Sequence, residues 1–219
     1  MSGPESQNGV SLKLSEMTFV VFDLETTGFS PHQAGITEIG AVTVQGGETL
    51  SEFSTFVNPG HTVPSHITGI TGISNHDVVN APSEIDAVAQ FFAYVESTPP
   101  DQTMIASPLL VAHNANFDLR FLHHVCRRDN HPWPEPKHLD TLKFAQRVFY
   151  GATDGPANYK LDTLAEHFNT PTTPTHRALD DAKATATILN HLLNHVATQG
   201  IHDVDALISW LNRNTRNRI

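Results

Sequence analysis

The chain has 219 residues, 39% of them hydrophobic, which is enough to bury the core of one domain of ordinary size. Its lone cysteine, Cys126, excludes an internal disulfide framework and suits a reducing cytoplasm, and no apolar run reaches the length of a membrane span. A formal net charge of −10 argues against tight, sequence-independent binding of nucleic acid, although divalent metals can supply the positive charge that a nucleic-acid enzyme needs at the reacting phosphate.

Residues 1–16 read as a disordered N-terminal segment, 17–197 as the folded domain and 198–219 as a helical tail or linker. Phe19-Val20-Val21-Phe22 predicts a strand buried on both faces, closed by Asp23-Leu24-Glu25 and a Thr26-Thr27-Gly28 turn. Ile36 to Val44 predicts a second strand, Gly46-Gly47 a hairpin turn, and Thr49 to Val57 a third strand nearer an edge, together an antiparallel meander. Asn58 to Pro82 is rich in Gly, Pro, Ser, Thr and Asn and reads as a long functional loop holding one apolar island, His66-Ile67-Thr68-Gly69-Ile70-Thr71. A helix begins at Ser83, with Ile85, Val88, Ala89, Phe92 and Val95 on its core face; Pro99-Pro100 ends it, and a surface insertion runs to Pro108. Leu109 to Ala112 is another buried strand, which His113-Asn114 turns into a helix packing through Phe117, Phe121, Leu122 and Val125. Beyond a proline-rich loop, His131 to Pro136, Asp140 caps a helix, and Leu161, Leu164, Ala165 and Phe168 stripe another. The last long helix follows Pro174-Thr175-His176, with Leu179, Ala182, Ala186, Leu189, Leu193 and Val196 as its core stripe. Val204, Leu207, Ile208 and Leu211 form a closing amphipathic piece. A meander, a strand–helix unit and then helices describe an α/β fold, a mixed sheet with helices on its faces.

Side chains alternate along a strand, so Asp23 and Glu25 share one face, roughly 7 Å apart. Two anions at the end of a buried strand repel each other unless a cation lies between them, and oxygen-only ligands favour Mg²⁺ or Mn²⁺ over zinc. Two further carboxylates stand where such a site would want them: Asp118, in the first turns of the helix after the second buried strand, and Asp181, five residues after His176. Asp181 lies about 110° from the centre of the predicted stripe, on its flank, and Asp180 about 150° away, nearly facing water, so Asp181 is the better candidate. His176, at a spacing of five, does not share that face and sits on the entering loop.

These motifs resemble the DEDD 3′–5′ exonucleases, in the histidine-containing branch that includes bacterial proofreading subunits. Phe22 to Gly28 is similar to the first family motif, His113 to Asp118 to the second and His176 to Ala182 to the third, in order and over roughly Thr18 to Val196. The resemblance implies a ribonuclease H-like fold and two Mg²⁺ or Mn²⁺ ions held by Asp23, Glu25, Asp118 and Asp181. It also implies His176 as the base for the attacking water, and release of nucleoside 5′-monophosphates from nucleic acid with a free 3′ end, in DNA proofreading or repair. Substrate contacts are implied for Thr26 and Thr27 at the terminal 3′-hydroxyl, for Ile67, Thr68, Gly69 and Ile70 against the terminal base, and for Asn114 and Phe117. Phe117 is read equally as a core residue beside Phe121 and Leu122. Glu38, His113 and His167 read as structural, and Asp140 and Asp162 as helix caps. The tail beyond Thr198, with Asn158 to Asp181, is similar to a bacterial branch in which the exonuclease domain precedes an excision-repair-type incision nuclease. That tail reads either as a linker or as a helix that docks a DNA polymerase or repair partner. RNA trimming or short-oligonucleotide digestion by the same fold, an idle nucleic-acid-binding module and a metal phosphatase are the competing readings. Four retained acids with His176 speak against the second, and the apolar island against the third.

Overall fold

β1 (Thr18–Thr26) is the central strand of a five-stranded mixed sheet in the computed structural model of the chain, which describes residues 12–98 and 108–213. β2 (Ile36–Gln45) and β3 (Glu48–Phe56) continue the sheet antiparallel through the two-residue Gly46-Gly47 turn, with Gln45 facing Glu48. β4 (Leu109–Ala112) and β5 (His138–Asp140) add in parallel on the other side, giving the order β3-β2-β1-β4-β5. This is the mixed sheet that the sequence predicts. β3 is the outer strand, exposed from Glu48 to Glu52. The three residues of β5 are too few to carry a detectable period, and the sequence reading misses them.

The stretch 58–82 is not the irregular loop expected of it. It contains α1 (Ser65–Thr71) and α2 (Asn75–Val78). Pro64 precedes the first turn of α1, Ile67 and Thr71 stack one turn apart on its buried side, and Gly72 (φ 72°) closes the helix, its N–H donating to the Thr68 carbonyl. Val63, Ile67, Ile73 and Val78 then form a satellite core against Phe56.

β1 needs cover on both faces because its residues from Phe19 to Phe22 are all apolar. α3 (Glu84–Ser97) and α4 (Asn116–Arg128) cover one face, packing Phe91, Phe121 and Leu122 against Val20, Phe22 and Leu24. α5 (Thr141–Val148), α6 (Leu161–His167), α7 (Ala178–Ala197) and α8 (Val204–Asn212) cover the other. There Phe19 and Val21 meet Phe144, Leu164, Ile188 and Leu192. Each such buried side chain stabilises the fold by about 1.5–3 kcal/mol. No helix of the described residues is long and apolar enough to cross a membrane.

Two helical stripes are rotated from their predicted phase. α3 centres its buried face on Ala87, Val88, Phe91 and Phe92, leaving Ile85, Ala89 and Val95 half-buried. α7 buries Ala178, Asp181, Ala182, Thr185, Ile188, Leu189, Leu192 and Val196, leaving Leu179, Ala186 and Leu193 half-buried. Periodicity counts Asp181 and Thr185 as polar and so turns the stripe away from them. Asp140 does cap α5, its Oδ1 accepting from Leu142 N (3.0 Å) and Lys143 N (3.5 Å). Asp162 does not cap α6: Lys160 holds that position, and the Asp162 carboxylate turns to Thr163 N at 2.7 Å.

α8 packs on α5, with Leu207 buried, Trp210 against Phe144 at 6.0 Å and Arg147 over the Trp210 ring. Leu12 to Leu14, at the end of the segment predicted to be disordered, pair with this region: Leu14 N donates to His202 O and Val204 N to Leu12 O. Residues 1–11 of that segment, the predicted insertion over 99–107 and residues 214–219 lie outside the described residues.

Candidate active site

Asp23 and Glu25 follow Phe19 and Val21 on the α7 side of β1, and their cross-strand partners explain how the site is built. Asp23 faces Gly40 and Glu25 faces Glu38. Gly40 has no side chain, and the first residues of α7 occupy the space: a Cβ at Gly40 would press on Leu179 N and Ala178 C and lie 2.6 Å from Ala178 O. Like charges directly opposite on two strands are destabilising, and the Glu25–Glu38 pair is relieved by a committed cation. The Glu38 carboxylate, 2% exposed, accepts from Arg177 Nε (3.1 Å) and Nη2 (2.8 Å) and from Ala178 N (2.9 Å). The start of α7 is therefore pinned to β2 by packing at Gly40 and by charge at Glu38.

That pinning delivers two of the predicted residues. His176 precedes α7, exposed to solvent, with a φ of 56°, a left-handed conformation uncommon for non-glycine residues. Asp181, 6% exposed, accepts the Thr175 N–H at 2.9 Å, while Asp180, half-buried, takes the Thr175 hydroxyl at 2.9 Å. Asp181 lies within the buried stripe rather than on its flank, a correction to the helix phase that leaves it, and not Asp180, beside Glu25. Glu25, His176 and Asp181 each offer a ligand atom within 4.8 Å of the others.

Asp118 arrives from the other side. β4 pairs with β1 only as far as Val21, so the Leu24 N–H has no strand partner there and donates to Asp118 Oδ1 at 3.2 Å. Asp118 is 2% exposed and stands in the first turn of α4, where the helix dipole favours a negative charge.

The electrostatics are lopsided. Burial, then the charges of Asp118, Asp181, Glu25 and Glu38, hold Asp23 well above the usual carboxylate range, although part of its surface still reaches solvent. Burial, with Asp181, Glu38 and Asp118, pushes Glu25 up to about 8 against the opposing pull of Arg177. Asp118 is pushed up to about 8, again by burial, despite its backbone hydrogen bonds. Asp181 is raised by burial and held back by the Thr175 N–H and His176. Arg177 is already committed to Glu38, and no Lys or Arg among the described residues forms an ion pair with any of the four acids. The four carboxylates, desolvated and with raised proton affinity, offer oxygen donors that fit a hard divalent ion.

The remaining predicted contacts divide. Thr26 donates to Gly28 O at 2.8 Å, and the Thr27 hydroxyl accepts Gly35 N at 2.9 Å while bonding His61 Nε2 at 3.0 Å, so both hydroxyls hold the turn. Ile67 is core and Thr68 half-buried; Gly69 and Ile70, 54% exposed, present the surface of α1. Asn114 is exposed in a left-handed conformation, its N–H donating to Asp140 Oδ1 at 3.1 Å. Phe117 is half-buried in the core with its ring 5.1 Å from Phe121. His113 is structural: Nε2 donates to Tyr159 O and Nδ1 faces the Thr141 hydroxyl, both at 3.0 Å, and burial lowers its pKa. His167 lies edge-on to Phe149.

Sequence reasoning misses Gly40, the Glu38–Arg177 pair and Phe29. Phe29 is 86% exposed just beyond the Thr26-Thr27-Gly28 turn, and a large aromatic residue between Gly28 and Ser30-Pro31 is the signal that could have found it.

The chain is similar to known exonucleases. The profile of the RNase_T exonuclease family matches residues 20–189. A Mycobacterium tuberculosis protein described as a bifunctional exonuclease/endonuclease is 44% identical over 91% of this chain, which spans only 30% of that relative's length. The DNA polymerase III subunit epsilon of Treponema pallidum is 34% identical, covering 86% of this chain and 82% of its own. Among solved structures, exonuclease X in complex with 5′ overhanging duplex DNA superposes with a TM-score of 0.64 at 25% identity, covering 89% of this chain and 99% of that one. With an RNase_T match over most of its length and a ribonuclease H-like mixed sheet, the chain belongs to the RNase_T exonuclease family, of the DEDD type.

Proposed function

We propose that the chain is a 3′–5′ exonuclease that removes nucleoside 5′-monophosphates from the 3′ end of DNA. The observation that carries this reading is the meeting of Asp23 and Glu25 from β1, Asp118 from α4 and Asp181 from α7, all with raised proton affinity, beside an exposed His176. The four carboxylates would hold two Mg²⁺ or Mn²⁺ ions, which when bound supply charge for the scissile phosphate and acidify the attacking water. His176, exposed on the loop entering α7, takes the proton from that water; a nitrogen donor competes poorly for a hard ion, and a histidine is suited to proton transfer near neutral pH. A new P–O bond forms to the water oxygen, and the bond to the 3′ oxygen breaks, that oxygen taking a proton from solvent. The strand is left one nucleotide shorter with a free 3′-hydroxyl. Backbone of the Thr26-Thr27 turn, Asn114, Gly69 and Ile70, with Phe117 beside them, would meet the terminal nucleotide. The exposed Phe29 would offer a face for base stacking. Similarity to a polymerase III subunit supports work beside a DNA polymerase or repair partner, in a reducing cytoplasm where the buried Cys126 stays a thiol.

The test is digestion of 3′- and 5′-labelled single-stranded, duplex and mispaired oligonucleotides, DNA and RNA, with Mg²⁺ or Mn²⁺. A ladder from the 3′ end of DNA, abolished by chelation, is expected. A ladder from the 5′ end, or digestion that survives chelation, overturns the proposal.

A further inference from the structure

α4 presents an uncompensated positive face. Its only acid, Asp118, is buried toward β1. Arg120 and Arg127, seven residues apart and so on one side of the helix, are both exposed, directly opposite the core-facing Asp118, Leu122 and Val125. His123, exposed between them, lies 5.1 Å from the Trp133 ring. Of the nine other Lys and Arg among the described residues, five pair with an acid. Lys13 pairs with Glu16, Arg128 with Glu84 and Asp129, Lys143 with Asp140, Arg177 with Glu38 and Lys183 with Glu52. Arg120 and Arg127 pair with no acid among the described residues.

The loop that leaves β1 returns to α4 through His32, edge-on to His124 with ring centroids 4.7 Å apart, and His124 lies one turn from both Arg120 and Arg127. Arg120 and Arg127 are separated by about 10 Å along the helix axis. A strand of DNA carries one charge per ~3.4 Å of duplex axis, so that separation covers about three phosphates. A net charge of −10 would otherwise repel the substrate.

We infer that the exposed face of α4 is a phosphate track for the substrate strand, with Arg120 and Arg127 engaging the backbone 5′ of the bond that is cut. The inference rests on the nuclease reading above and adds to it a preference for substrates that extend several nucleotides beyond the terminus. Two phosphates neutralised in this way give only a shallow salt dependence.

The test is binding of a labelled single-stranded DNA 12-mer whose terminal linkage is a phosphorothioate, followed by anisotropy in Mg²⁺ at increasing NaCl. Wild type is compared with the Arg120→Gln/Arg127→Gln and Arg120→Lys/Arg127→Lys double variants. Hydrolysis of the p-nitrophenyl ester of thymidine 5′-monophosphate, which has no upstream phosphates, is measured alongside. The glutamine variant should weaken 12-mer binding equally for different sequences and reduce the log–log salt slope by about 1.4, two phosphates at about 0.7 each on a single strand. The lysine variant should keep most of the slope, and hydrolysis of the ester should be unchanged in both. An unaltered 12-mer slope in the glutamine variant, or an equal loss of ester hydrolysis, overturns the track. Failure of the wild type to cleave any DNA sinks the nuclease reading instead, and the binding comparison still decides the track.

Discussion

Replacing Gly40 by alanine tests whether the packing of α7 on β2 sets the active site. The added Cβ would lie 2.6 Å from Ala178 O, and closer still to two other backbone atoms of the α7 start, where ordinary contact begins at 3.4 Å. Backbone cannot swing aside like a flexible side chain, so the start of α7 must retreat by about 1 Å. Overpacking of this kind costs about 1–3 kcal/mol, which for a chain of this length lowers Tm by roughly 2–12 °C. The retreat also carries His176 and Asp181 away from Glu25 and stretches the Ala178 N to Glu38 bond of 2.9 Å. A misplacement of about 1 Å in reacting groups costs on the order of 10²-fold in rate. Thermal unfolding and steady-state digestion of a labelled oligonucleotide, the latter well below the variant's Tm, separate the two effects. Wild-type turnover in a destabilised Gly40→Ala protein would show that the positions of His176 and Asp181 do not depend on this contact, and an unchanged Tm would refute the packing argument as well.

The raised carboxylates make a linked prediction. Glu25 and Asp118 hold protons up to about pH 8 in the folded protein but release them near pH 4 when unfolded. Their contribution to stability is therefore complete below about pH 4 and is lost as pH rises toward 8. Calorimetry of the metal-free protein should show Tm falling over that window, with a smaller fall for Glu25→Gln; an equal fall would exclude Glu25 as a source. Because ion binding must displace these protons, Mn²⁺ should raise Tm more at pH 8 than at pH 6. Asp181→Asn should lose more than about tenfold in activity while Asp180→Asn stays near wild type, and the reverse order would refute the placement of Asp181 beside Glu25. His176→Ala should slow turnover by about 10²–10⁴-fold yet retain the metal-induced rise in Tm; a variant that loses that rise would mark His176 as a ligand rather than a base.

Much of the fold can be read locally. The uninterrupted apolar run of β1, the Gly46-Gly47 hairpin, the strand–helix unit through β4 and α4, and the Asp140 cap each follow from a period or a turn spanning a few residues. The acids are legible for the same reason, because strand alternation puts Asp23 and Glu25 on one face. Other features belong to contacts between distant segments. α1 and α2 form because Val63, Ile67, Ile73 and Val78 find Phe56, although their own composition favours a loop. The phase of α7 is decided by the missing side chain at Gly40 and by Glu38 on β2, more than 130 residues earlier, which holds Arg177 and Ala178 N. Asp181 and Thr185 could enter the buried stripe because other segments surround them there, an environment that a hydrophobic period has no means of anticipating. Local sequence thus determined which residues were available for the site. The tertiary packing of α7 against β2 decided how they meet, since a close backbone approach and a buried ion pair exist only once both segments are in place.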